Sequence, residues 1–345
     1  MRSQRAGAAC ITDPTSIAYL TGFHANPHER LLALAIGLDS ALLVVPDLER
    51  ENAELHATGT EIVSWHDGED PFRVLRAALG DPARLAVEKE HLTIARWELL
   101  DAGEIEDCSA ALRAMRAVKQ PDEMKLLQAA ARFTDEVTDA ILGELRAGLS
   151  EREVATRVNA LINQTGSSLA FHTLVQAGPN SALPHLPPSE RQLAAGDLVL
   201  LDFGARHRGY NADTTRMAVV GAPDERQRQV HTAVLDAHDR AIEAIRAGAT
   251  CGEVDLAARR SIEKAGFGDR FIHRTGHGLG LDAHEGPNLE PGSLLRLDAG
   301  NVVTVEPGIY IPGWGGVRIE DDVVVEEAGA RLLTSADRSL KVIAN

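Results

Sequence analysis

The stretch Phe271-Ile-His-Arg-Thr-Gly-His-Gly-Leu-Gly-Leu-Asp-Ala-His-Glu-Gly-Pro287 decides how the rest of this 345-residue chain is read. His273, His277 and His284 stand four and seven residues apart, a spacing that a helix could align. Gly276, Gly278 and Gly280 interrupt any such helix, because glycine loses more backbone freedom there than other residues. The segment is therefore expected to be extended, with glycines where another group approaches closely. A lone histidine is more often a satisfied core or surface residue than a chemical group, but three among glycines point to a site.

Working outward, carboxylates recur inside apolar strands. Asp202 lies in Asp197-Leu-Val-Leu-Leu-Asp-Phe-Gly204, and Asp213 follows in 210–220, which reads as the antiparallel partner strand. The stretch 301–308 repeats the idea with Glu306, and 316–325 repeats it with Glu320. A buried carboxylate without a partner costs several kcal/mol, so each needs a cation, a hydrogen-bond donor or a metal. Arg216 and Arg318 are the obvious ion-pair partners. Two arginines do not neutralise four carboxylates, whereas two divalent ions with one imidazole do. An oxygen-rich donor set with a single nitrogen suits Mn²⁺, Co²⁺ or Fe²⁺ better than structural Zn²⁺, which favours Cys and His.

Around these strands runs an ungapped internal repeat at an offset of 100 residues. Arg146-Ala-Gly148 returns as Arg246-Ala-Gly248, Glu153-Val154 as Glu253-Val254, Ile162 as Ile262, and Gly166 as Gly266. Each copy reads as a helix, a glycine turn, a Ser150 or Thr250 N-cap, and a second amphipathic helix ending at glycine. Duplication explains this better than chance, and it predicts a pseudo-twofold α+β domain in which two helix pairs cover one continuous sheet.

Residues 1–118 have a different texture. Short apolar runs at 31–36, 41–45, 62–65 and 84–87 alternate with helical patterns at 47–57 and 71–79, an α/β arrangement. Lys119-Gln-Pro-Asp-Glu123 then supplies a linker and a helix start. Two domains, 1–118 and 119–345, are expected.

Composition narrows the partners. A net charge of −16 with no basic block argues against nucleic acid and against anionic membrane surfaces. No apolar run reaches the roughly 18 residues of a membrane span, and the N-terminus has no signal-like apolar core. Cys10, Cys108 and Cys251 are scattered without CxxC pairing, which fits a reducing cytoplasm.

Asp202, Asp213, His277, Glu306 and Glu320, in that order, resemble the five-ligand dinuclear site of the methionine aminopeptidase, aminopeptidase P and prolidase superfamily. Gly276-His-Gly-Leu-Gly-Leu-Asp-Ala-His-Glu-Gly-Pro287 and Gly316-Val-Arg-Ile-Glu320 look like its proline-peptidase branch. The resemblance spans about Lys119 to Thr334. It implies an α/β creatinase-like N-terminal domain followed by an α+β pita-bread catalytic domain. It further implies that Asp202 chelates one metal, His277 and Glu306 bind the other, and Asp213 and Glu320 bridge them. Two ions about 3.5–4 Å apart would then share a hydroxide aimed at a peptide carbonyl, with Glu306 as proton shuttle. Mn²⁺ is the expected metal, with Co²⁺, Fe²⁺ or Zn²⁺ as alternatives.

By the same resemblance His185 and His284 are catalytic histidines that hold the carbonyl and stabilise the oxyanion, and His273 lies near the proline side. Arg318 either orients a carboxylate through its guanidinium fork or compensates charge. The implied reaction is hydrolysis of Xaa-Pro dipeptides by a metallopeptidase. Aminopeptidase P action on longer peptides is the alternative, and a non-catalytic peptide-binding module is the alternative from another class. Asn288 departs from prolidases that carry an arginine there, so the substrate carboxylate needs another anchor, and Arg30 in Phe23-His-Ala-Asn-Pro-His-Glu-Arg30 is the candidate. A homodimer is implied as well.

Overall fold

The computed structural model describes residues 6–344 and divides into two compact units between Arg116 and Ala117. In the first unit the order is β1 (Ala8–Ile11), α1 (Pro14–Thr21), β2 (Ala33–Ile36), β3 (Ala41–Pro46), α2 (Arg50–His56), β4 (Glu61–Trp65), α3 (Pro71–Leu79), β5 (Arg84–Val87), α4 (Ile94–Leu100), β6 (Glu104–Asp107) and α5 (Ser109–Ala117). The strands form one mixed sheet, β4-β3-β2-β1-β5-β6. Strand alternation gives it a core on each face. Ala9, Ile11, Leu34 and Leu43 pack with Ile17, Ala53 and Leu112 on one side, and Cys10, Ala33, Val44 and Val87 pack with Phe72, Leu75 and Leu100 on the other.

The second unit begins with α6 (Pro121–Glu144) and α7 (Glu151–Gln164), then β7 (Ser168–Leu169), β8 (Leu174–Ala177), β9 (Leu198–Phe203), β10 (Ala205–His207), β11 (Tyr210–Asn211) and β12 (Thr214–Val220). Its second half repeats the plan with α8 (Glu225–Ala244), α9 (Cys251–Lys264), β13 (Gly276–Gly278), β14 (Glu285–Leu289), β15 (Val302–Val305), β16 (Gly308–Ile311), β17 (Gly315–Arg318), β18 (Asp321–Glu326), β19 (Gly329–Leu332) and β20 (Lys341–Ile343).

The repeat read from sequence is realised in backbone detail. Ser150 caps α7 by accepting from the Glu153 amide at 3.2 Å, and Glu153 reaches back to the Ser150 amide at 2.7 Å. Thr250 and Glu253 do the same for α9 at 3.1 and 2.7 Å. Gly166 and Gly266 both take positive φ just past the helix ends.

One expectation needs correction: the two helix pairs do not cover one continuous sheet. A four-stranded sheet, β20-β12-β9-β8, and a five-stranded sheet, β14-β13-β15-β18-β19, are separate ladders, joined in backbone pairing by the isolated bridge Thr215 to Glu320. At that junction Thr215, Arg318 and Asp202 hydrogen-bond through side chains, and the polar groups replace further ladder bonds. The stretch 210–220 is also not a single strand. The Asn211 amide and side chain donate to Gly280 and Leu281 carbonyls at 2.9 Å, which diverts β11 from the β9 ladder and leaves Asp213 in the break before β12.

Candidate metal centre

Asp202 shares the face of Leu198 and Leu200 along β9, by the two-residue period of a strand. Those leucines pack under α8 and α9, while Val199, Leu201 and Phe203 pack under α6 and α7. Asp202 therefore points from the first half toward the second, directly across from Thr215 of β12. Asp213 precedes β12, Glu306 follows β15, and Glu320 lies between β17 and β18. Only Asp202 is embedded in a strand; the other three sit at strand ends, where the chain is free to turn their side chains inward.

His277 lies in the extended β13, as the glycine pattern predicts. A Cβ at Gly276 would collide with the Thr304 carbonyl and one at Gly278 with the Gly286 carbonyl, so the close approach is of backbone to backbone.

These side chains converge. Asp202, Asp213 and Glu320 form one group, His277, Glu306 and Glu320 a second, and Asp213, His277 and His284 a third; within each group the donor atoms lie within 4.8 Å of one another. They line a cavity of about 570 Å³ together with His185, His273, Arg274 and Arg318, and with Phe171, His172, Leu174 and Pro184.

The ion pairs available do not balance the acids. Arg318 pairs with Asp202 and also donates to Thr215 Oγ1 at 3.0 Å and the Tyr310 hydroxyl at 2.9 Å. Arg216, the other partner expected from sequence, pairs instead with Asp321 at 2.6 Å and donates to the Glu320 backbone carbonyl at 2.5 Å. Asp213, Glu306 and Glu320 are left without a guanidinium among the described residues. Burial and the charge of Glu320 hold Asp213 well above the usual carboxylate range, and burial and Glu306 do the same to Glu320. Burial pushes Glu306 up to about 7 against the pull of Arg318. Asp202 Oδ1 and Asp213 Oδ1 are buried with no hydrogen-bond partner.

His277 completes the case for a cation. Its Nδ1 faces the Gly278 carbonyl at 3.0 Å and so carries the proton. Burial and the neighbouring His284 lower its pKa to about 3, leaving Nε2 with a bare lone pair at neutral pH. That lone pair faces Glu306 at 3.3 Å and Asp213 at 3.8 Å, a contact that is repulsive once the carboxyls ionise and that positive charge placed among the three would make attractive. The donor set fits divalent ions.

Several neighbours carry no signal in the sequence reading. Thr215 Oγ1 donates to Glu320 Oε2 at 2.6 Å. The Tyr310 hydroxyl accepts from Arg318 and meets His273 Nε2 at 2.9 Å, while His273 Nδ1 donates to the Arg274 carbonyl at 2.7 Å. Alternation after Gly308 was the available clue to Tyr310. Arg30 belongs to the first unit, where its guanidinium forks onto Asp67 at 3.1 and 2.8 Å. The loop that sequence leaves without a structural task thus has one.

A duplicated helix-pair-and-sheet unit holding a buried cluster of carboxylates and imidazoles defines a class of metal-binding proteins. Residues 125–327 match the model of metallopeptidase family M24, and residues 1–118 match the creatinase/prolidase N-terminal domain. The chain belongs to metallopeptidase family M24, with the pita-bread fold as its second unit. The Xaa-Pro dipeptidase of Lactobacillus helveticus is 36% identical over 347 residues, 97% of this chain and 94% of that protein. The prolidase from Pyrococcus furiosus superposes with a TM-score of 0.91 at 35% identity, covering 98% of this chain and 99% of that one. The X-Pro aminopeptidase from Thermotoga maritima gives a TM-score of 0.88 at 30% identity with 100% of both chains covered.

Proposed function

We propose that this metallopeptidase is an Xaa-Pro dipeptidase, a prolidase working with two divalent ions. The observation that carries the reading is the convergence of Asp202, Asp213, His277, Glu306 and Glu320 on one cavity that also holds His185, His273 and His284. In this reading Asp202, Asp213, His277, Glu306 and Glu320 would hold the ions. Bound there, the ions would supply a water of lowered pKa and polarise the scissile carbonyl. The donor chemistry makes Mn²⁺ our assignment.

The chain's own groups do the rest. Glu306 takes a proton from the attacking water and hands it to the leaving nitrogen. His185 and His284 donate to the substrate carbonyl as it becomes an oxyanion. Arg318 holds Asp202 in place through its ion pair. Phe171, Leu174 and Pro184 offer an apolar wall to a pyrrolidine ring, and the family resemblance puts His273 on that proline side. The nitrogen of that ring has no N–H, so an apolar wall leaves no donor unsatisfied.

The Lactobacillus and Pyrococcus relatives support dipeptide cleavage. Asn288 and the Thermotoga aminopeptidase favour the second reading, release of the N-terminal residue from longer peptides. Hydrolysis of Ala-Pro and Ala-Pro-Ala by metal-stripped protein, with and without Mn²⁺, decides between them. Mn²⁺-dependent cleavage of the dipeptide alone is expected. Preferred release of Ala from the tripeptide would make it an aminopeptidase P, and cleavage of neither would sink the peptidase reading. No helix among the described residues is long and apolar enough to cross a membrane. Three free, buried cysteines support a reducing cytoplasm as the compartment. A homodimer, which rests on the family resemblance, is checked by sedimentation.

A further inference from the structure

A zwitterionic dipeptide brings two charges into the cavity. Its carboxylate needs a cation that is not already engaged by the site's own acids. Two arginines line the cavity, Arg274 and Arg318. Arg318 is fully buried and already committed to Asp202, Thr215 and Tyr310. Arg274 is half-buried, and its guanidinium has no hydrogen bond or ion pair among the described residues.

The backbone on either side of Arg274 is held firmly. Arg259 of α9 donates to the His273 carbonyl at 3.0 Å and forks onto Asp255 at 3.0 Å. Asp255 in turn accepts from Thr275 Oγ1 at 2.9 Å and the Thr275 amide at 3.2 Å. The His273 ring is fixed on the Arg274 carbonyl at 2.7 Å. The result is an anchored stem with an uncommitted head, the arrangement that lowers the ordering cost of binding.

From this geometry we infer that Arg274 binds the C-terminal carboxylate of the substrate and sets the preference for dipeptides over longer chains. The inference rests on the Xaa-Pro reading above. Arg30, the anchor expected from sequence, is already forked onto Asp67. A guanidinium matches a carboxylate with two parallel hydrogen bonds, a geometry that lysine does not reproduce.

The test compares Ala-Pro with Ala-Pro amide, whose C-terminus is neutral, in the Mn²⁺-loaded wild type and in the Arg274→Met, Arg274→Lys and Arg30→Ala variants. Arg274→Met should raise KM for Ala-Pro at least about tenfold and change kcat/KM for the amide by less than about threefold. Arg274→Lys should fall between, and Arg30→Ala should match the wild type. An equal loss on both substrates in both Arg274 variants, or no loss on Ala-Pro, overturns the assignment of Arg274 alone. A selective loss of Ala-Pro in Arg30→Ala with Arg274→Met unaffected moves the anchor to Arg30. A wild type that cuts neither substrate overturns this inference together with the peptidase reading, and is thereby distinguished from the other failures.

Discussion

The Tyr310 hydroxyl accepts from Arg318, so its own proton goes to His273 Nε2, and His273 must present its other nitrogen as a donor to the Arg274 carbonyl. One phenol thus fixes the tautomer of the imidazole it bonds, in keeping with a His273 pKa lowered to about 4, mainly by burial. Tyr310→Phe removes partners from a buried guanidinium and a buried imidazole, and should cost about 1–3 kcal/mol in urea denaturation. Protonation at the candidate metal centre gives a second prediction. Glu306 is raised from 4.5 to about 7, so in metal-free protein its stabilising contribution is complete below 4.5 and is lost as pH rises through 7. His277, lowered from 6.5 to about 3, contributes above 6.5 and loses that contribution as pH falls toward 3. Divalent ions must displace the carboxyl proton but not an imidazole proton, so the rise in melting temperature caused by Mn²⁺ should be larger at about pH 8 than at about pH 5.5. Equal rises at the two pH values would contradict it. Asp202, Asp213, Glu306 and Glu320 were legible because a carboxylate in an apolar run is a local anomaly. Tyr310 and Thr215 were not, since both are ordinary strand residues whose roles exist only through contacts far apart in sequence.

At the scale of elements, the second helix of each pair grips the loop that carries site residues. Glu151, in the first turn of α7, is fully buried and accepts from the Ala177 amide at 2.7 Å, Asn180 at 2.9 Å, and the Ser189 amide and hydroxyl at 2.9 and 2.6 Å. It ties both ends of the segment bearing Pro184 and His185. Asp255 of α9 does the same for the segment bearing His273 and His277, through Thr275 and Arg259. Glu151→Gln replaces an acceptor with an amide donor facing donors, and should destabilise by about 1–3 kcal/mol. Amide exchange should quicken over residues 177–189 and kcat should fall more than KM rises. Unchanged exchange in that segment would contradict the clasp. The helices and their caps were readable because capping chemistry is local. The clasps were not: Glu151 in a first helical turn is already explained by the helix dipole, and Asp255 four residues before Arg259 is already explained as a helix-surface ion pair. The split of the expected sheet likewise depends on side-chain bonding across the junction, which no strand periodicity encodes.

At the scale of the whole chain, each unit has its own apolar cores. Ligand binding stabilises what it binds, so Mn²⁺ should slow amide exchange in β9, β12 and β15 and leave the β1 to β6 sheet unchanged; protection gained equally in both would count against the assigned site. The two-domain plan and the duplication were visible in sequence because they are matters of composition and period. How the two repeats share the site was not. The first repeat supplies Asp202 and Asp213, and the second supplies His277, Glu306 and Glu320. Neither half possesses a complete donor set. A progenitor of half this length, from before the duplication, would therefore have needed two copies meeting face to face to capture the same ions. In the single chain the two halves are covalently joined, so the site assembles without the concentration dependence that two separate copies would face.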